Sequence, residues 1–152
     1  MSTAKVAEIY NYLPLSDSIG TGGQPTVEQF AELKQAGYEV VVNLALPTST
    51  NAIPDEAKIV ASQGMGYVHI PVEWENPTLE DIQRFFATLQ ANAEKRVFVH
   101  CAMNMRVSAF MYLYRRLQQQ VDEDAARRSL EEIWTPNPTW ERFIAQVLEF
   151  YI

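Results

Sequence analysis

Short runs of β-branched residues alternate along this chain with stretches in which apolar side chains return every three or four positions. After the turn-rich segment Gly20-Thr21-Gly22-Gly23-Gln24-Pro25, Val27, Phe30 and Leu33 recur at helical spacing. Gly37, where a left-handed cap is easy, predicts the end of that helix. Tyr38-Glu39-Val40-Val41-Val42-Asn43-Leu44 then reads as a buried strand. A loop from Pro47 to Pro54 leads into a helix from Asp55 to about Gln63, with Gly64 and Gly66 bracketing its end. Tyr67-Val68-His69-Ile70 forms the next strand, and Thr78 caps a helix carrying Leu79, Ile82, Phe85, Phe86 and Leu89 on one face. The strand Arg96-Val97-Phe98-Val99-His100 enters Cys101-Ala102-Met103-Asn104-Met105 and then a helix with Val107, Phe110, Met111, Tyr114 and Leu117 as its apolar stripe.

The remainder is helical. One helix starts near Asp122 and ends near Trp134, and Pro136 and Pro138 separate it from a last one striped by Trp140, Phe143, Ile144, Val147, Leu148 and Tyr151. Strands alternating with helices predict an α/β fold: a central, mostly parallel sheet of about four to five strands flanked by helices, with the C-terminal helices packed on one side. With neither linker nor internal repeat, residues 1–152 read as one domain.

Composition narrows the function classes. Hydrophobic residues make up 47% of the chain and charged ones 20%, the balance of an ordinary globular protein. No apolar run approaches the ~20 residues that cross a bilayer. The opening MSTAKVAEIYNYLPL has no basic head joined to an apolar stretch, so no secretory signal is expected. One cysteine excludes an internal disulfide and fits a cytoplasmic location. A net charge of -7 argues against nucleic acid and anionic membranes as partners and requires any anion site to be locally positive. Two histidines and the single cysteine show no zinc-site spacing, so neither a metal nor another cofactor is expected. Oligomeric state stays open.

The chemistry concentrates at one turn. A strand, a tight turn and a helix N-terminus together present backbone amides to an anion. Cys101 at the mouth of that turn meets the positive end of the helix, which favours its thiolate. Arg106 at the far end can grip two anion oxygens at once, as lysine cannot. Asn104 is the residue type, after glycine, that most readily takes the left-handed backbone such a loop needs. Met103 and Met105 offer soft apolar surface at the mouth.

His100-Cys101 through Arg106 and Ser108 resembles the HC-x5-R-S/T loop of tyrosine and dual-specificity phosphatases. Gly23-Gln24-Pro25-Thr26, Val42-Asn43-Leu44, Gly66-Tyr67, Ile70-Pro71-Val72 and Pro77-Thr78 are similar to a bacterial phosphatase-like branch associated with β-lactamase-like hydrolases. The likeness runs from about Gly20 to Leu117. It implies a phosphatase-like fold and a two-step reaction. Cys101 attacks the phosphoryl group, and water hydrolyses the phosphocysteine. Ala102, Met103, Asn104, Met105 and Arg106 bind the substrate's oxygens. His100 positions the loop, and Ser108 donates to the thiolate.

Two positions depart from that pattern. Val107 holds the usual arginine place, so the loop is Cys-x4-Arg with Arg106 one residue early. Trp74 stands where many relatives carry the acidic Asp that protonates the leaving oxygen, which leaves Glu73 and Glu75 as candidate general acids, Glu73 slightly ahead. Three readings therefore compete: a phosphatase of phosphotyrosine-like or small aryl phosphomonoesters, an anion-binding pseudo-phosphatase, and a rhodanese-like sulfurtransferase.

Overall fold

The structure is a computed structural model that describes residues 5–152. Five strands form one sheet: β1 (Leu13–Pro14), β2 (Ile19–Gly22), β3 (Val40–Asn43), β4 (Gly66–His69) and β5 (Val97–His100). Their order is β1-β2-β5-β3-β4, parallel throughout except for the antiparallel β1–β2 pair. Helices α1 (Val27–Gln35), α2 (Glu56–Ser62), α3 (Leu79–Ala91), α4 (Met105–Leu117), α5 (Glu123–Ile133) and α6 (Pro138–Tyr151) cover it.

Alternation along the strands divides the core between the two faces, because successive strand side chains point oppositely. Val40, Val42, Val97 and Val99 pack with Ile82, Phe85, Phe110, Trp140 and Phe143 of α3, α4 and α6. Val41 and Phe98 pack instead with Phe30, Leu33 and Val60 of α1 and α2. Both C-terminal helices thus lie on the α3–α4 side. Polar termini set the helix boundaries. Thr26 with Gln29 and Thr78 with Asp81 form capping boxes at α1 and α3, and Asn137 caps α6. Val27, placed on the apolar stripe of α1 by spacing alone, is 47% exposed in its first turn.

The largest correction lies at the N-terminal end. Gly20 to Gly22, expected within a turn-rich segment, form with Ile19 a buried strand between β1 and β5. Glycines weaken a strand taken by itself, so the segment carries no local β signal. Here they admit aromatic neighbours: a Cβ on Gly20 would stand 2.1 Å from the Tyr38 hydroxyl, and one on Gly22 3.0 Å from the Phe98 ring. Tyr38 is itself buried and cannot swing away. Gly20→Ala is expected to lower stability by about 1–3 kcal/mol through overpacking, read as a reduced midpoint in urea unfolding.

The parallel strands end in one row. Gly22, His100, Asn43 and His69 are successive cross-strand neighbours at the carboxyl edge of the sheet. Ligands of open α/β sheets bind outside this edge.

Candidate active site

Strand β5 delivers His100 and Cys101 to that edge, both buried, and α4 begins four residues later at Met105. The turn between them is held from outside. Asn104 takes the left-handed conformation, φ 69°, at the N-cap of α4. Its side chain caps no helix amide and instead donates through Nδ2 to the carbonyl of Asn11 (2.8 Å) and to Thr21 Oγ1 (3.1 Å). Asn11, also left-handed at φ 51°, donates back to the Met103 carbonyl (3.0 Å). The Ala102 carbonyl accepts from the Gln24 amide (3.1 Å) and from Asn51 Nδ2 (3.2 Å). The carbonyls of the turn are therefore bound to surrounding segments.

Helix α4 makes its first main-chain bond from the Ser108 amide to the Asn104 carbonyl. The amides of Met105, Arg106 and Val107 precede that bond and have no partner within the helix. With no side-chain cap over them, this helix end keeps its positive field. Beside it lies a pocket of about 180 Å³ lined by Trp74, Cys101, Ala102, Met103, Met105 and Arg106. The guanidinium of Arg106 is buried and donates through Nη1 to the Val72 carbonyl (2.9 Å). This spends one of its five N–H donors, leaving the rest of the fork for an anion.

His100 is gripped on both ring nitrogens. Nε2 donates to Glu56 Oε2 at 2.6 Å, and Nδ1 donates to the Cys101 carbonyl at 3.2 Å. Glu56 and the Cys101 carbonyl thus fix the position of the ring from both sides. Glu56 completes the arrangement by accepting Gln24 Nε2 on Oε1 (2.9 Å). Burial alone would raise the Glu56 pKa, but the hydrogen bond and charge of His100, with the Gln24 amide, carry it below the ordinary carboxylate value. Burial also pushes the neighbouring Tyr67 phenol up to about 12.

Nothing local in the sequence singles out Glu56. It opens α2, 44 residues before His100, where an acidic side chain is already explained by the helix dipole. The Gly-Gln-Pro-Thr segment held the available signal, since its glutamine is the residue that fixes Glu56.

Other expectations need placing. Ser108 does not donate to the thiolate. Its Oγ donates to the Met105 carbonyl (2.8 Å) and accepts the Trp134 indole N–H (3.0 Å), which commits its one proton. Glu73 and Glu75 are exposed and do not line the pocket. Trp74 between them does, half-buried against Trp134 and Trp140 with ring centroids 5.2 and 5.7 Å away. Met103 is 42% exposed at the mouth. His69 bonds the Ala45 carbonyl (2.7 Å) rather than joining the pocket. Among the described residues, no group of three or more His, Cys, Asp or Glu side chains is placed to hold a metal ion. Among them, no helix is long and apolar enough to cross a membrane.

This fold is shared with known proteins. Residues 14–144 match the family described as DSP-PTPase phosphatase fused to NAD+ kinase. The chain belongs to the DSP-PTPase phosphatase family. A DUF442 phosphatase-family protein of Shewanella putrefaciens CN-32 is 37% identical with a TM-score of 0.88, over 97% of each chain. TpbA of P. aeruginosa, in complex with pTyr, shares the fold at 16% identity and a TM-score of 0.66, over 91% of this chain and 90% of that one. The beta-lactamase hydrolase-like protein of Xylella fastidiosa (strain Temecula1 / ATCC 700964) is 27% identical over 122 residues, 78% of this chain. The present chain spans only 27% of that relative's length. A DSP-PTPase fold thus frames a pocket in which thiol, guanidinium and helix amides meet and from which carboxylates are absent among the described residues.

Proposed function

We propose that this DSP-PTPase family chain hydrolyses phosphomonoesters, phosphotyrosine-like or small aryl phosphates, with Cys101 as nucleophile. The observation that carries the reading is that Cys101 and Arg106 line one pocket at the uncapped N-terminus of α4. His100 bonds the Cys101 carbonyl and holds the backbone of the nucleophile in place, and the positive end of α4 borders the same pocket. Sγ attacks phosphorus, the ester P–O bond breaks, and a phosphocysteine forms. Water then attacks phosphorus, the S–P bond breaks with its electron pair returning to Sγ, and phosphate leaves. The loop amides and the free donors of Arg106 bind the equatorial oxygens as their charge develops. The partner is a phosphorylated molecule, and a small apolar mouth suits an aromatic ester better than a sugar phosphate.

The test is hydrolysis of an activated aryl phosphate between about pH 5 and about pH 8, a range that brackets the second ionisation of a phosphomonoester. Turnover inhibited by vanadate supports the reading. Inactivity of the wild type throughout that range overturns it. Arg106→Ala is expected to lower kcat by about 10²–10³-fold and to weaken vanadate inhibition in parallel. Arg106→Lys should recover little, because an ammonium cannot reproduce the bidentate fork.

A further inference from the structure

The segment from Val72 to Pro77 is fixed in a form that keeps both of its carboxylates out of the pocket. At its start the Val72 amide donates to the Leu44 carbonyl (3.0 Å), while the Val72 carbonyl accepts Arg106 Nη1. At its centre the Trp74 carbonyl accepts the indole N–H of Trp140 (2.8 Å), whose side chain is fully buried. A turn bond from the Asn76 amide to the Glu73 carbonyl (3.2 Å) and the burial of Pro77 secure its end. Swinging Glu73 or Glu75 inward would break the Trp140 bond and separate three packed indoles. The side chain that faces the pocket from this segment is an indole, which is no proton donor at neutral pH.

We infer that, within the aryl phosphates, the site favours weakly basic, delocalised leaving groups, such as those of acidic phenols, over the more basic phenol of phosphotyrosine, and leaves alkyl phosphates unreacted. This refinement rests on the phosphatase reading above. When Sγ attacks, the P–O bond breaks and its electron pair stays on the leaving oxygen, which takes a proton only later, from solvent. Among the described residues, no acid lines the pocket to share the developing charge. Trp74, Met103 and Met105 make that wall apolar, where a localised alkoxide is costly and a ring-delocalised phenolate is less so. Trp74 is then the specificity-determining residue, holding the loop shut against an acid and offering an aromatic face to an aromatic leaving group.

The experiment is a series of aryl phosphates, assayed with the wild-type chain, whose phenols span pKa values from about 6 to about 10, the latter that of tyrosine. An alkyl phosphate is added as the basic extreme. A positioned general acid contributes about 10²–10⁴-fold, so kcat/KM is expected to fall by about that factor from the most to the least acidic phenol, with the alkyl ester inert. Trp74→Asp is expected to flatten the series by accelerating the least acidic phenols selectively. A series that is flat in the wild type overturns the inference, most directly if Glu73→Gln or Glu75→Gln then makes it steep. Failure to turn over even the most acidic phenol, with no vanadate binding, overturns the phosphatase reading itself and the preference with it. Because the wild-type series decides the matter, the inference stands or falls even if Trp74→Asp does not fold.

Discussion

Cys101→Ser is expected to abolish hydrolysis of aryl phosphates, by about 10⁴-fold or more, while leaving the fold intact. The replacement changes one atom in a side chain that is only 1% exposed and directly follows a strand paired on both sides. A serine hydroxyl stays protonated at neutral pH, and among the described residues no base lines the pocket to remove its proton. A thiol ionises far more readily than a hydroxyl in the same surroundings. Anion affinity should persist or increase, because the variant presents no thiolate to repel the phosphate. Steady-state rates with an aryl phosphate and calorimetric titration with phosphate check both halves. Turnover within tenfold of wild type, or phosphate binding lost together with turnover, contradicts the assignment of Cys101.

The second large effect concerns stability. Glu56→Ala removes one partner of a buried ion pair and strands His100, which is fully inaccessible. Breaking such a pair costs about 3–5 kcal/mol, so the variant should unfold at markedly lower urea concentration. Glu56→Gln keeps a hydrogen-bond acceptor and should lose less. The pH dependence follows from the direction of the Glu56 shift. Its pKa is depressed in the folded state, so the contribution is fully present above the ordinary carboxylate value. It declines as pH falls through the folded value. Wild-type stability should therefore drop on acidification more steeply than that of Glu56→Gln. Parallel acid profiles of the two proteins would show that Glu56 is not the titrating group.

Where local pattern and final environment agree, the chain declared its structure. Val40 to Val42 and Val97 to Val99 are β-branched or aromatic, and they sit buried in the middle of the sheet. Thr78 and Asp122 were readable as helix starts because capping is a contact of two or three residues. The cysteine turn was equally legible, since its function depends on consecutive residues. Features made by distant residues were silent. Ile19 to Gly22 becomes a strand only because Tyr38 and Phe98 need the room its glycines leave. Ser108 bonds Met105 rather than the thiolate, and Trp134 arrives at its oxygen from 26 residues away. Glu73 and Glu75 look available as acids in sequence. Their orientation is decided by Trp140, 66 residues beyond Trp74.

The clasp between Asn11 and the cysteine turn gives the site a thermodynamics of its own. Asn11 reaches Met103 and Asn104 across 92 and 93 residues of sequence, through a segment flanked by the two-residue strand β1. Such a short element contributes little cooperative stability, while β3 and β5 lie in the centre of the sheet. Undocking of residues 10–14 is then a sub-global opening that releases the turn without melting the sheet. The proposed site is therefore expected to open at a lower free energy than the sheet that carries it.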